Sequence, residues 1–153
     1  MMEITLLILH GLLAVLLLGA LIHQVLSGYK SRAGDVTFFS SVMSTRGSLY
    51  TNAVVVLYPL ITIVGAIIYA YYRMEVRPFL EASHHRSAIG IFELKEHFIA
   101  IGFGLLPAYW LLWQQSENSF ARRAVTIIIT ATALWGFFVG HILNNLHGLG
   151  RGL

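Results

Sequence analysis

The sequence predicts an all-α membrane protein whose four transmembrane helices form an up-and-down bundle. Two observations predict this fold. Hydrophobic residues make up 57% of the 153 residues and charged residues only 11%. The apolar residues are also gathered into four stretches that can each cross a hydrocarbon core, which takes about 20 residues. These stretches are approximately Ile4–Leu26, Tyr50–Tyr72, Phe92–Trp113 and Ala124–Leu146. We therefore expect a single integral membrane domain over residues 1–153.

The first stretch is expected to be a retained helix, not a cleaved signal peptide. No basic residue precedes it, and no small-residue cleavage site follows it. The connection Ser27–Leu49 is rich in Ser, Gly and Thr, Arg73–Ile91 is more charged and contains Pro78, and Gln114–Arg123 is short. We expect all three connections to be loops outside the hydrocarbon core.

The basic residues give an expected orientation, because Lys and Arg are enriched in cytoplasmic loops. One group of them follows the first stretch or precedes the fourth: Lys30, Arg32, Arg122 and Arg123. This group predicts that both termini lie on the outer, periplasmic side of a bacterial inner membrane. A second group on the side of the termini favours the opposite orientation: Arg73, Arg77, Arg86 and Lys95.

The composition also limits the chemistry of the protein. The chain has no cysteine, which excludes disulfides, thiolate metal sites, iron–sulfur clusters and covalent attachment of haem through Cys. Any cofactor must be held by His, carboxylate or carbonyl groups. The net charge of +3 is ordinary flanking charge for membrane helices, so we expect no nucleic-acid partner.

Three histidines, His10, His97 and His141, are the strongest indication of a functional site. His10 lies about six residues into the first stretch, His97 about five into the third, and His141 about five from the end of the fourth. Helix alternation brings all three to one side of the bilayer, each roughly 7–9 Å below its helix end. Ionisable side chains inside a membrane are costly and usually functional. Their matched depth predicts that at least two ligate one haem b iron, or that all three bind one metal ion.

Two neighbouring groups of charged residues are predicted to assist. Arg73 and Arg77 end the second stretch on the same side, where they can pair with haem propionates or anchor to lipid headgroups. Glu93 and Glu96 precede His97. In one interpretation, one of them orients His97 or relays a proton; in the alternative, both carboxylates only stabilise the positive N-terminal end of the helix.

One face of the third stretch carries a carboxylate, an imidazole and then small side chains at three- and four-residue intervals. We expect this face to pack against a flat cofactor or another helix. Its residues are Glu93, His97, Ala100, Gly104, Pro107 and Ala108.

Near the opposite interface the sequence gathers polar and aromatic residues that form an interfacial belt and could also hydrogen-bond a quinone. They are His23, Gln24, Arg46, Tyr50, Tyr109, Trp110, Trp113 and Gln114.

In architecture and histidine placement the whole chain resembles small four-helix membrane proteins of the b-type cytochrome kind. The resemblance implies a haem b electron-transfer subunit that exchanges electrons with quinone inside a larger redox complex. Any enzymatic role would then be that of an oxidoreductase component. Two alternatives remain open: a non-catalytic accessory or assembly subunit that packs on other membrane subunits, and a His/Glu pathway for protons or metal ions.

Overall fold

A computed structural model of the chain describes residues 2–28, 47–115 and 119–150, and every regular element within these ranges is helical. We number the α-helices in chain order. A π-helical turn, Tyr72–Val76, joins α2 to α3. The helices are α1 Met2–Gly28, α2 Gly47–Tyr71, α3 Arg77–Ala82, α4 Arg86–Gly104, α5 Leu106–Gln114 and α6 Ser119–Gly150.

Among the described residues, three helical segments are long and apolar enough to cross a membrane. They are Ile4–Ser27, Leu49–Ala82 and Phe120–Asn145. The described part of the chain is all-helical, as predicted, and these spans are consistent with an integral membrane protein in a lipid bilayer. They agree with the first, second and fourth predicted stretches, although the second helix is longer than predicted.

The third predicted stretch, Phe92–Trp113, is not one uninterrupted helix. α4 ends at Gly104, and α5 begins at Leu106. The physical reason is Pro107, which has no backbone N–H to continue the helical hydrogen bonds. Leu105 nevertheless keeps right-handed helical angles, φ −84° and ψ −10°, so the chain is distorted there without reversing.

The predicted loop Arg73–Ile91 is wrong, because most of it is helical. The helical path of α2 continues through the π-helical turn and α3 to Ala82, and α4 already begins at Arg86. Pro78 is the second residue of α3, directly after the π-helical turn, and its missing N–H removes one backbone hydrogen bond from the continuing helical path. The predicted loop residues Lys30, Arg32 and Arg46 lie outside the described residues.

The helices pack around one main apolar core. α1 packs against α2 and α6, α4 packs against α6, and α5 packs against α2. A second, smaller cluster closes one end of the bundle, where Tyr72, Leu80, Ala88, Val139 and Leu143 are buried together. Many large apolar side chains remain on the outside, as expected for surfaces that contact lipid. The main core contains Leu17, Leu18, Ala20, Leu21, Val54, Tyr58, Leu106, Tyr109, Ile129 and Ala133.

A seven-residue spacing on α2 and the following turn sets the levels of the polar interior. Thr51, Tyr58 and Tyr72 are buried, and Gly65 contacts a side chain of α1. Seven residues make nearly two helical turns, so these positions share the inner face. Successive levels are about 10.5 Å apart along the helix axis.

Candidate functional site

The side chain of His10 is half-buried between α1 and α2. A Cβ atom built on Gly65 would lie 3.1 Å from Cε1 of His10, so the absence of a side chain at Gly65 is what gives the imidazole its place. The backbone of Ile61 lies close to the ring. Nδ1 is buried and has no hydrogen-bond partner within the described part of the chain. In the tautomer with the ring proton on Nε2, Nδ1 keeps a free lone pair.

Lys95 and Glu96 of α4 both act electrostatically on His10. Lys95 Nζ lies 2.9 Å from Glu96 Oε1, and only 16% of the Lys95 side chain is exposed. The same ammonium lies 4.2 Å from the centre of the Phe92 ring, at cation–π distance. We call His10, Lys95 and Glu96 the His10 cluster.

Sequence reasoning did not select Lys95 as a site residue. It belongs to the inner face of α4, where residues at three- and four-residue intervals are buried or half-buried. The spacing of these residues in the sequence could have identified Lys95. It is the one charged residue among the otherwise uncharged residues in this row of the inner face. That row is Ala88, Phe92, Lys95, Ile99 and Gly102.

The face that the sequence predicted to meet a cofactor or a neighbouring helix is the outer face of α4. Glu93, His97, Ala100, Gly104 and Pro107 are all exposed. The two faces have similar spacing, and packing against α2 and α6 turns the apolar row inward. The site predicted on the outer row is therefore not part of the bundle interior.

The two remaining candidate histidines are exposed. Nδ1 of His97 lies 2.7 Å from the backbone carbonyl oxygen of Glu93, so Nδ1–H donates and Nε2 is left with its lone pair. His141 stacks on Phe137 one turn earlier in α6, with ring centres 6.4 Å apart. The structure thus brings His10 together with Lys95 and Glu96, while His97 and His141 lie on the outside of the bundle.

No three His, Cys, Asp or Glu side chains in residues 4–27, 49–115 and 120–145 are close enough to hold a metal ion. A three-histidine metal site is therefore absent from this described part. A haem on two histidines inside the bundle does not fit these positions, because only His10 faces the interior. Haem b ligation by two of them stays a prediction, and it would require His97 or His141 to bind from the outer surface.

The charged residues predicted to assist a cofactor mostly pair with each other. Arg77 Nε lies 2.9 Å from Glu81 Oε1, and Arg77 Nη1 lies 3.6 Å from Glu93 Oε1. The propionates of a haem would have to compete with these two carboxylates for Arg77. The guanidinium of Arg73 lies 6.0 Å from the centre of the Tyr69 ring. Since the carboxylates of Glu93 and Glu96 face Arg77 and Lys95, Glu93 orients His97 only through its backbone carbonyl.

Two further polar levels lie deeper in the bundle. The hydroxyl of Tyr58 donates to the backbone carbonyl of Ile99 at 3.2 Å and lies 3.4 Å from Oγ1 of Thr132. At the next level Nε2 of Gln24 donates to Oγ1 of Thr51 at 2.8 Å, and both side chains are fully buried. These hydroxyl residues were missed at the sequence level, although the seven-residue spacing on α2 links them.

The residues predicted as an interfacial belt differ in their surroundings, and Arg46 lies outside the described residues. His23 stacks on Tyr50 with ring centres 3.7 Å apart, Tyr109 is buried, and Trp110 is exposed. Trp113 Nε1 donates to Thr126 at 3.1 Å. Binding of a quinone in this region stays a prediction.

No family model matches the chain, and neither a curated protein nor a solved structure matches it. The chemistry must therefore be argued from the side chains. In the His10 cluster, an imidazole nitrogen with a free lone pair can accept a proton, and a carboxylate and an ammonium beside it can exchange protons with water.

Proposed function

We propose that this chain is a membrane subunit that conducts protons along its polar interior, with His10 as the proton-accepting residue. The observation that carries this proposal is the buried Nδ1 of His10, which has no partner among the described residues and lies near an ion pair. Placing ionisable groups inside a membrane helix bundle is costly, and they commonly serve proton relays. Histidine suits this role because it gains and loses a proton near neutral pH.

The proton balance of the His10 cluster is simple. A proton that moves from protonated Glu96 to Nδ1 of His10 leaves a carboxylate and creates an imidazolium, so the net charge of the cluster stays constant. The Glu96 carboxylate attracts the imidazolium, whereas the Lys95 ammonium repels it. The attraction by Glu96 favours uptake of the proton by His10, and the repulsion by Lys95 favours its release.

The two deeper levels supply groups suited to carry a proton onward. Hydroxyl groups at Tyr58, Thr132 and Thr51 can donate and accept hydrogen bonds at the same time. The levels are about 10.5 Å apart, several times the length of one hydrogen bond, so water molecules must link them during transfer.

Proton flux into proteoliposomes tests the proposal. Purified protein is reconstituted with a pH-sensitive dye inside the vesicles, and a potassium gradient with valinomycin drives proton entry. We expect His10→Ala to reduce the flux by at least about tenfold, in line with the loss of a positioned proton-transfer group. Tyr58→Phe should also reduce it.

His84→Ala is the matched control, because His84 is exposed in the turn between α3 and α4. It should conduct like the parent protein. A parent flux equal to that of empty vesicles, or equal fluxes for His10→Ala and His84→Ala, would contradict the proposal.

We further infer that α4 and α5 together form the fourth membrane crossing, which places both termini on one side. Leu105 N–H donates to the carbonyl of Ile101 at 3.1 Å and Tyr109 N–H donates to the carbonyl of Leu105 at 2.9 Å, so hydrogen bonds link α4 to α5 across the break. The proposed location is a bacterial inner membrane with the termini in the periplasm. Single cysteines introduced near each terminus should react from the same side, and labelling from opposite sides would contradict this topology.

A haem b electron-transfer subunit is the second candidate, and one observation favours it. The bond from Nδ1 of His97 to the Glu93 carbonyl is the arrangement commonly found for metal-bound histidines, because it fixes the ring and leaves Nε2 free. Bound haem would supply one-electron transfer, to quinone or within a larger complex. The exposed face around Gly104 gives room for another membrane subunit.

Absorbance of protein purified after expression with added haem precursor tests the second candidate. A Soret band that is lost in His97→Ala and kept in His84→Ala would support it. A colourless parent protein would contradict haem binding.

A further inference from the structure

A charged cleft opens where α3 meets the beginning of α4. Its volume is about 560 Å³, within the range of small-molecule sites. Arg77 and Glu81 lie in the last part of the membrane-spanning segment Leu49–Ala82, so the cleft lies at the depth of lipid headgroups. Its lining residues are Arg77, Glu81, Arg86, Ile89, Gly90 and Glu93.

The cleft carries balanced charge in two separate parts. Arg77 is shared between the carboxylates of Glu81 and Glu93. Arg86 is exposed and forms no ion pair with another described residue. Two arginines and two glutamates thus alternate around one opening, which suits a ligand with one positive and one negative group better than a simple anion.

Tyr72 lies near the charged residues of the cleft but does not line it. It is only 7% exposed, and its hydroxyl has no hydrogen-bond partner within the described residues. Three of the cleft's charged residues, Arg77, Glu81 and Glu93, act electrostatically on it. Because this hydroxyl oxygen is enclosed by the protein, a ligand in the cleft does not reach it.

We propose that the cleft binds the headgroup of a phospholipid that carries a phosphate and a primary ammonium, namely phosphoethanolamine. The phosphate accepts hydrogen bonds from the exposed guanidinium of Arg86. The ammonium donates to Glu81. A phosphocholine headgroup lacks the N–H donors, and a phosphoglycerol headgroup lacks the positive charge.

Native mass spectrometry of the purified full chain in detergent can count bound lipids and give dissociation constants. The probes are phosphatidylethanolamine, phosphatidylcholine and phosphatidylglycerol with identical acyl chains, together with soluble O-phosphoethanolamine. We expect phosphatidylethanolamine to bind about tenfold more tightly than the other two lipids, since one lost charge-assisted contact commonly changes affinity by this factor. The soluble compound should bind far more weakly than the lipid, because it has no acyl chains.

Arg86→Gln and Glu81→Gln should each raise the dissociation constant for phosphatidylethanolamine about fivefold to tenfold. Tyr72→Phe should leave it unchanged, because the Tyr72 hydroxyl does not line the cleft. Arg73→Gln is the matched control, because Arg73 is exposed and does not line the cleft; it should bind lipid like the parent protein.

Equal affinities for the three lipids would overturn this inference, and so would equal effects of Arg86→Gln and Arg73→Gln on the affinity. Binding of O-phosphoethanolamine as tight as that of phosphatidylethanolamine would also overturn it, because it would indicate a soluble ligand. The inference is independent of proton conduction. His10→Ala should keep the parent affinity for phosphatidylethanolamine, so failure of one proposal leaves the other to be judged separately.

Discussion

Replacement of Gly102 by Ala tests the helix packing most directly, because three helices meet at this residue. A Cβ atom built on Gly102 would overlap the hydroxyl oxygen of Tyr58 and lie 2.5 Å from Oγ1 of Thr132. Either α4 must move away or Tyr58 must rotate. Rotation would break the hydrogen bond from Tyr58 to the Ile99 carbonyl.

The expected loss of stability follows from three contributions. Overpacking a filled interior costs about 1–3 kcal/mol. A buried hydroxyl that loses its partner costs about another 1–3 kcal/mol. The better helix propensity of Ala offsets about 1 kcal/mol. We therefore expect Gly102→Ala to lower the free energy of unfolding by about 1–5 kcal/mol.

Reversible unfolding in mixed micelles of dodecyl maltoside and SDS, followed by circular dichroism, measures this change. Gly104→Ala is the matched control in the same helix, because no atom lies within 4 Å of its built Cβ; its stability should be unchanged or slightly higher. In a Tyr58→Phe background the loss caused by Gly102→Ala should shrink, since part of the clash has been removed. Equal stability of Gly102→Ala and Gly104→Ala would refute the described packing.

Three further predictions concern other levels of the bundle. Gly65→Ala places a methyl group about 3.1 Å from Cε1 of His10, so proteoliposome proton flux should fall while circular dichroism stays unchanged; a parent-like flux would contradict the role of this contact. Gln24→Leu leaves the buried Thr51 hydroxyl without the amide that donates to it and should cost about 1–2 kcal/mol in micelle unfolding. Adding Thr51→Val should recover part of this loss, and a purely additive double variant would argue against coupling. Arg77→Gln should leave the unfolding midpoint unchanged because its ion pairs are exposed, and a shift as large as that of Gln24→Leu would show that the cleft charges are structural.

The membrane class and most of the helical spans could be predicted from the sequence because they depend on local properties. An apolar stretch such as Ile4–Leu26 must form its own backbone hydrogen bonds in lipid, whatever its neighbours are. An imidazole in such a stretch is expected to avoid lipid, and His10 is half-buried, whereas His97 and His141 are exposed. Pro107 was visible in the sequence, but its effect on the third stretch became clear only from the break at Leu105.

Only the tertiary structure decided which face of α4 turns inward. The row with Glu93 and His97 and the row with Lys95 and Gly102 both repeat every three to four residues, so periodicity alone cannot separate them. The choice depends on Tyr58 and Thr132, which belong to other helices and fit only against a glycine. The same applies to Gly65, whose missing side chain admits His10 of α1. Close approaches between distant parts of the chain depend on shape complementarity, and no property of a single helix determines them.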